Sequence, residues 1–480
     1  MSKPSINVLC DLVRRKSYLE SYEIPADALQ LSCDEREGNV YLKLEEIEAW
    51  LGTPLSAASR DLAEVAAYIY QADKGLRRGE GDQWTRHFSM LIPVRQLEAW
   101  NRLGPHLSRT LFELTGDRFD FYFVARQGKD KPDAESESRD KGVEAKSSSD
   151  CVCLFSGGLD GFAGAVNLIV QQRQPILVSH YISNIKPIQH EQVQALNKTF
   201  GLNLEHLQFR VAPRNDEQRT KRAFATVENT QRSRSFLFLS IAAVIAFERG
   251  LGEIYICENG VLAINIPLAA SRLGSRSTRS AHPHFLEPFQ ELIRQLFSTQ
   301  ITIRNPFTFK TKKEVVEVVT QPDLKKQMHN TVSCWGFPRR TMGVPGTRHC
   351  GYCLPCIHRR ISFIAAGYGR WDDKYKVDIF REYEDVGSEA AADFRDLLGF
   401  AANVSRMSEG ELIYSHPGLL VEVGELWDTA GADDSVLLAR MLKRYSAEVL
   451  EVAKKKARGA LTHWQVLAEP DAATFTPTLT

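Results

Sequence analysis

The central part of this 480-residue chain predicts an α/β fold built on a parallel sheet. Three observations carry that expectation. Short β-rich runs recur at Cys151–Phe155, Ile176–His180, Leu207–Val211 and Glu253–Cys257. Helical stretches at about Gly158–Gln172, Gln189–Phe200 and Ser233–Arg249 alternate with them, which implies parallel strands covered on both faces. A glycine turn, Ser156-Gly157-Gly158-Leu159-Asp160-Gly161, follows the first run directly, and in such sheets ligands bind at the carboxyl ends of the strands.

Residues 1–126 read as an α+β region ending in the strand-like Phe119–Val124. Residues 127–150 (QGKDKPDAESESRDKGVEAKSSSD) are charged, Ser-rich and almost free of large apolar side chains, so they read as a flexible linker. Residues 151–370 hold the alternating elements. Residues 371–480 lose the β signal, and Ala390–Ser405 and Ser435–Lys456 carry apolar positions at helical spacing, giving a helical extension. The run Lys454-Lys455-Lys456-Ala457-Arg458 reads as a solvated helix end.

Lys plus Arg equals Asp plus Glu at 60 each, so bulk charge does not hold this chain to nucleic acid or to a membrane. No apolar run approaches the roughly 18 residues of a membrane helix, and Met1–Glu20 has no apolar signal core, so a cytoplasmic protein is expected. Nine Cys in such a chain do not resemble a disulfide framework. Cys10, Cys33, Cys151, Cys153 and Cys257 read as small buried hydrophobes.

The glycine turn carries the first chemistry. Glycines let the backbone bend sharply and aim several N–H groups at one point, and the helix that follows adds its partial positive charge. Leu154, Phe155, Ser156, Gly157, Gly158, Leu159, Asp160, Gly161 and Phe162 are therefore expected to form a nucleotide-binding loop for ATP, with the Ser156 hydroxyl on a phosphate oxygen. Asp160 is out of place in an anion site unless a cation intervenes, which assigns it to Mg2+. No Gly-Lys-Ser/Thr follows, so this is not a Walker loop, and the glycine spacing is not that of a dinucleotide fingerprint.

The second chemistry is sulfur. Cys334 lies in Ser333-Cys334-Trp335, and Cys350, Cys353 and Cys356 lie in HCGYCLPCIHRR. Four thiolates complete a tetrahedral Zn2+ site with no open position, which is a structural centre. An iron–sulfur cluster of the ferredoxin type needs a Cys where Arg360 stands, which leaves a three-Cys cluster with an outside ligand as the alternative to zinc.

Taken together, SGGLD, the RSRSFLFLSIAA helix, a downstream Lys and SC…CGYCLPC resemble the QueC family, the 7-cyano-7-deazaguanine synthases, over about Cys151–Arg370. That resemblance implies an adenine-nucleotide alpha-hydrolase-like fold of the PP-loop ATP pyrophosphatase type. It also implies roles near phosphate for Arg234 and Lys312, which join Asp160 as expected catalytic residues, and zinc ligation by the four cysteines. The family's substrate loop is replaced by Cys257-Glu258-Asn259-Gly260, which makes Glu258 and Asn259 the expected substrate contacts, and Gly161 stands where the family carries Ser.

With the added terminal regions, the chain most resembles the QueC-like proteins of the Qat anti-phage defence system. The resemblance implies an ATP-dependent ligase that adenylates a 7-deazaguanine carboxylate, releases pyrophosphate and passes the acyl group to an amine, with partner proteins from the same operon. Three alternatives stay open. They are 7-cyano-7-deazaguanine (preQ0) synthesis, a PP-loop tRNA-modifying enzyme using the basic stretch Arg272–Arg279, and an ATP-binding defence module without catalysis.

Overall fold

The computed structural model describes residues 5–11, 20–34, 38–78, 85–126, 148–214, 228, 232–268, 279–341, 345–381, 386–416, 420 and 434–457. The expected linker lies outside these residues except for its last three, and so does the basic stretch except for Arg279.

The N-terminal region contains β1 (Val8–Cys10), β2 (Leu29–Leu31), β3 (Val40–Tyr41), α1 (Leu44–Leu51), α2 (Ala57–Gly75), β4 (His87–Val94), α3 (Leu97–Thr115) and β5 (Arg118–Ala125). Its four-stranded sheet has the order β2-β1-β4-β5, and every pairing is parallel. An α+β region was expected, and among the described residues its four-stranded sheet is parallel while β3 pairs antiparallel with β9. The sequence hides the pattern because β4 is buried at seven successive positions and α2 is buried on nearly every side. Neither element shows the one-faced periodicity that distinguishes strand from helix.

The central region runs β6 (Cys151–Leu154), α4 (Leu159–Val170), β7 (Pro175–His180), α5 (Lys186–Phe200), β8 (His206–Phe209), β9 (Ala212–Pro213), α6 (Arg234–Glu248), β10 (Glu253–Tyr255), α7 (Gly260–Ala263), α8 (Pro283–Phe297) and β11 (Thr302–Arg304). Its sheet is wholly parallel with the order β11-β10-β6-β7-β8. The chain proceeds from β6 to β7 and β8 on one side, then crosses to β10 and β11 on the other. The order therefore reverses between β6 and β10, and a crevice opens there at the carboxyl ends.

α6 (RSFLFLSIAAVIAFE) is apolar all round because it is covered all round, by the central sheet on one side and α2 on the other. α3 packs on α8 in the same way. The helices of the two sheets thus share one hydrophobic core, and β3 pairs antiparallel with β9 across the same boundary.

Beyond the sheet come α9 (Lys312–Glu317), α10 (Pro322–Gln327), α11 (Leu354–Ala365), α12 (Ser388–Arg406), α13 (Glu409–Ser415) and α14 (Asp434–Ala457). Leu397, Leu438, Leu442, Tyr445 and Val449 build a second core that joins α12 and α14 to Ile357 and Ile361 of α11. Lys454, Lys455 and Lys456 are exposed, as a solvated helix end requires. Among the described residues no helix is long and apolar enough to cross a membrane.

Candidate active site and thiolate centre

The nucleotide loop sits at the sheet's switch point, between the end of β6 and the start of α4. Gly157 turns the chain at φ +82°, a conformation that L side chains rarely adopt. Its carbonyl accepts from Val332 N (3.0 Å) and Gln192 Nε2 (3.2 Å), and Gln189 Nε2 donates to the Ser156 carbonyl (3.2 Å). With the carbonyls held from behind, the loop keeps one shape. Ser156 is exposed, and its Oγ accepts from Gly158 N (3.2 Å), so the hydroxyl hydrogen is available to an acceptor such as a phosphate oxygen.

The side chains of Phe155, Leu159 and Phe162 are buried in the core beneath the loop. They were expected among the nucleotide contacts, but only their backbone can play that part. At Gly161 a Cβ would meet Leu154 O and Ser156 N at 3.5 Å, which is ordinary contact. A small side chain there would lie directly under the loop.

Asp160 opens α4, buried at 6% exposure, and draws three other predicted residues to itself. Lys312 Nζ lies 2.5 Å from Oδ1, while Asn259 donates to Oδ2 through Nδ2 (2.8 Å) and its backbone N (3.2 Å). Asn259 Nδ2 also reaches Glu258 Oε1 (3.1 Å). Burial alone would raise the Asp160 carboxyl, but Lys312, Glu258 and Asn259 outweigh it and hold it below the ordinary range. Burial and the adjacent Asp160 charge push Glu258 well above its ordinary range. The pair therefore splits, with Asp160 favoured as the carboxylate against Lys312 and Glu258 favoured as the member that holds a proton longer. Oδ1 faces Lys312 and Oδ2 takes both Asn259 donors, so the carboxylate expected to bind Mg2+ is held here by a lysine and an asparagine.

Lys312 is the first residue of α9, and the local sequence explains its place. Thr311 caps the helix by accepting from Glu314 N (3.3 Å), and Glu314 Oε2 accepts from Thr311 N (2.7 Å). α14 grips the same turn. Thr311 Oγ1 donates to Glu448 (2.8 Å), and Arg444 reaches Glu314 (2.8 Å) and the Phe309 carbonyl (2.8 Å). On the other flank, Asn305 accepts from Glu258 N (3.2 Å) and donates to Glu258 O (2.8 Å). Asn305 also lines a cavity of about 870 Å³ with Tyr255, Arg304, Lys310 and Arg444.

Arg234 does not join this group. It is exposed at the start of α6, with its guanidinium 5.7 Å from the Phe238 ring centre, and its charge is felt at Tyr70 and His180. No described contact links it to Asp160 or Lys312. Sequence reasoning missed Asn305, Gln189, Gln192 and Glu448, whose roles arise only from tertiary approach. The Thr311-x-x-Glu314 capping signature was present to be read.

The four sulfurs do come together. Cys334, Cys350, Cys353 and Cys356 are buried, and their Sγ atoms all lie within 4.8 Å of one another. Cys350 and Cys356 are 3.8 Å apart, and Cys353 and Cys334 are 3.9 Å apart. Sulfurs at about 2.3 Å from a tetrahedral Zn2+ sit about 3.8 Å from each other, so the set fits zinc. The surroundings are held firmly. His349 accepts from Ser333 N (3.1 Å) and bonds Asp373 (2.8 Å), while His358 on α11 meets the Tyr445 hydroxyl of α14 (2.8 Å). Burial lowers the His349 imidazole to about 4, so it stays neutral at physiological pH.

A parallel α/β sheet with a glycine loop at its switch point, closed by a four-thiolate centre, fits the PP-loop type of nucleotide fold. The comparison with known families agrees: residues 150–367 match the family model described as "Queuosine biosynthesis protein QueC". One curated relative, a 7-cyano-7-deazaguanine synthase of Methanothrix thermoacetophila, is 29% identical over 137 residues, 28% of this chain and 51% of that protein. The chain thus spans about half the length of the curated relative it matches. The chain is QueC-like in its central segment.

Proposed function

We propose that the protein is an ATP-dependent, C–N bond-forming enzyme that adenylates a 7-deazaguanine carboxylate. The observation that carries this reading is the convergence of the Ser156 loop with Asp160, Lys312, Glu258 and Asn259 at one switch point, inside the QueC-like segment. The substrate carboxylate attacks the α-phosphate, the acyl–phosphate bond forms, and the bond to the leaving pyrophosphate breaks.

The demand of that step is stabilisation of the departing negative charge. The N–H groups at the start of α4 and the Ser156 hydroxyl would donate to it, and Lys312 would turn from Asp160 towards it. Mg2+ bound with ATP would supply further charge neutralisation, with Asp160 as the side chain proposed to hold it once Lys312 turns away. Glu258 and Asn259 are the proposed contacts to the deazaguanine ring, and to donate to it they would have to release their bonds to Asp160 and to each other. Zinc, when bound by the four cysteines, holds the segment that carries Val332 against the loop.

An amine then captures the acyl-adenylate and releases AMP. The terminal regions and the cavity beside Asn305 supply more surface than ammonia needs, which favours an amine on a partner protein from a defence operon of the Qat kind. The curated relative favours a second reading, in which ammonia gives the amide and a further ATP gives the nitrile of 7-cyano-7-deazaguanine. Pyrophosphate release from ATP with 7-carboxy-7-deazaguanine tests the adenylation. Intact mass of co-expressed partners then separates the readings, because a deazaguanine adduct supports the protein amine, whereas free nitrile with unmodified partners refutes it.

A further inference from the structure

Three cations meet where the N-terminal region joins the QueC-like sheet. Lys74, in the last turn of α2, holds its Nζ 5.6 Å from the centre of the Tyr70 ring. The Tyr70 ring sits edge-on to His180 (6.0 Å), and the His180 ring stacks on Phe238 of α6 (5.1 Å). Arg234, the first residue of α6, closes this row from the other end, 5.7 Å from Phe238. Arg210 follows Phe209 at the end of β8, and the Phe209 ring also packs edge-on against His180 (5.3 Å).

Lys74 and Arg210 are half-buried, and among the described residues none of the three cations forms an ion pair. The nearby acids are taken. Asp73 accepts from Ser233 N and Oγ (2.8 Å each) and pairs with Arg86, while Glu228 accepts from Arg78 N (3.0 Å). Burial first, and after it the charges of Arg234, Lys74 and Arg210, lower the His180 imidazole to about 4, so three positive charges bear on one neutral ring. Cations that give up water at close quarters repel one another, and a counter-charge is what offsets that cost.

The position of the group indicates which anion would supply it. β7 ends at His180, whose carbonyl accepts from Gln189 Nε2 (3.1 Å), and the same nitrogen donates to the Ser156 carbonyl of the nucleotide loop (3.2 Å). The cations therefore stand beside the glycine loop, at the carboxyl ends of β7 and β8, where a parallel sheet receives ligands. The first turn of α6 adds the partial positive charge of its N–H groups.

We propose that Lys74 of the N-terminal region completes, with Arg210 and Arg234, an oxyanion site that holds a negatively charged group of one of the two substrates. This rests on the function proposed above, whose substrates bring two such groups to the switch point, the phosphate chain of ATP and the carboxylate of the deazaguanine acid. Lys74 lies outside residues 150–367, so the N-terminal region adds to the site a cation that the QueC-like segment does not itself carry. Lys74 and Arg210 act here in binding and positioning.

The test uses the full-length, zinc-loaded protein with inorganic pyrophosphate, ATP and 7-carboxy-7-deazaguanine as separate ligands in calorimetry. Lys74→Met and Arg210→Gln should each weaken the ligand that occupies the site by about ten-fold or more, whereas Lys74→Arg, which keeps the charge, should stay within about three-fold of wild type. Ligand-free Lys74→Met should melt no lower than wild type, because it relieves repulsion; a lower Tm with unchanged affinities marks a packing role and overturns the proposal. A loss for pyrophosphate and ATP but not for the acid supports the proposal and assigns the phosphate chain, and a loss for the acid alone supports it and assigns the carboxylate. Wild-type affinity for all three ligands in both Lys74→Met and Arg210→Gln overturns the proposal and leaves the adenylation reading standing; if Lys74→Met does not fold, Arg210→Gln decides on the same criterion. Binding that the variants weaken, in a protein that releases no pyrophosphate from ATP with the acid, keeps the anion site and overturns the adenylation reading. A wild-type protein that binds none of the three overturns both.

Discussion

Replacing Lys312 by Met keeps the length and apolar stem of the side chain and removes its charge. Asp160 is then left at 6% exposure beside Glu258 with no cation against it. At 2.5 Å and an effective dielectric of about 20, the lost Coulomb attraction is roughly 6–7 kcal/mol before desolvation is set against it. The protein need not lose that much, because Asp160 can take up a proton instead. Protonating a carboxyl of ordinary pKa 3.8 at pH 7 costs about 4.4 kcal/mol, at about 1.36 kcal/mol per unit, and this bounds the penalty that Asp160 itself carries in the variant.

The sign of the pH dependence distinguishes this account from a simple packing defect. In the wild type the Asp160 pKa is depressed, so its contribution is fully present above pH 3.8 and lost only as pH falls through the lower folded value. It is flat between pH 5 and 8. In Lys312→Met the folded pKa is raised, so stability is lost as pH rises from about 4. The expected deficit is about 3–4 kcal/mol at pH 7.5, on the order of 10 °C in Tm for a unit of about 200 residues, shrinking to about 1–2 kcal/mol at pH 5. Thermal melts across that range measure it, and Asp160→Asn added to Lys312→Met should restore most of the loss and flatten the slope. A Lys312→Met protein as stable as wild type at pH 7.5, or a deficit that does not change with pH, would refute the buried ion pair.

Other outcomes follow from the same contacts. Gly161→Ala should gain about 0.5–1 kcal/mol by restricting the unfolded chain, since its Cβ meets nothing closer than 3.5 Å, whereas Gly164→Ala, whose Cβ would lie 2.2 Å from Cys257 Sγ, should lose about 1–3 kcal/mol in a denaturant titration. Burial pushes the Glu448 carboxyl up to about 7, so wild-type stability should fall as pH rises from 4.5 through 7, and Glu448→Gln should remove a slope on the order of 2–3 kcal/mol in melts at pH 5 and 8. Elemental analysis should find one zinc per chain, lost in Cys350→Ser together with a large drop in Tm, because metal-binding energy in such centres, about 10–16 kcal/mol in zinc-finger peptides, is folding energy; iron with labile sulfide would overturn this assignment.

What the sequence disclosed, and what it did not, follows from where each residue's partners lie. The Ser156 loop was legible because its function depends on neighbours one turn away, and the cysteines because their spacing encodes their meeting. Asp160, Lys312, Glu258 and Asn259 could each be singled out, but not their mutual contact, since Asp160 and Asn259 are separated by 99 positions in the chain. That contact gives Asp160 a lysine and an asparagine as its neighbours, which the sequence alone did not disclose. The parallel N-terminal sheet escaped for a different reason. Elements buried on both faces lose the alternation that reveals them, and α2 and β4 are both of that kind. Arg234 was placed correctly as the opening residue of an apolar helix, but that helix starts beside Tyr70 and His180 rather than beside Lys312.

The C-terminal helix changes how the site should be understood. α14 lies wholly outside residues 150–367, yet it touches three of the segments that build the site. Glu448 and Arg444 hold the capping turn that presents Lys312. Tyr445 holds His358 on the helix that carries Cys356. Met441 sits so close to Gly260, the residue after Asn259, that a Cβ there would lie 2.3 Å from its sulfur and 2.0 Å from the Thr308 carbonyl. One rigid helix therefore ties the lysine, the substrate segment and the thiolate helix together, with Tyr445 and Met441 fully or almost fully buried in the process. A site held from three sides by one element shifts as a unit if that element shifts. Whatever acts on α14 acts on the spacing between Lys312 and the Glu258–Asn259 pair, so this extension is as much a part of the site as the glycine loop itself.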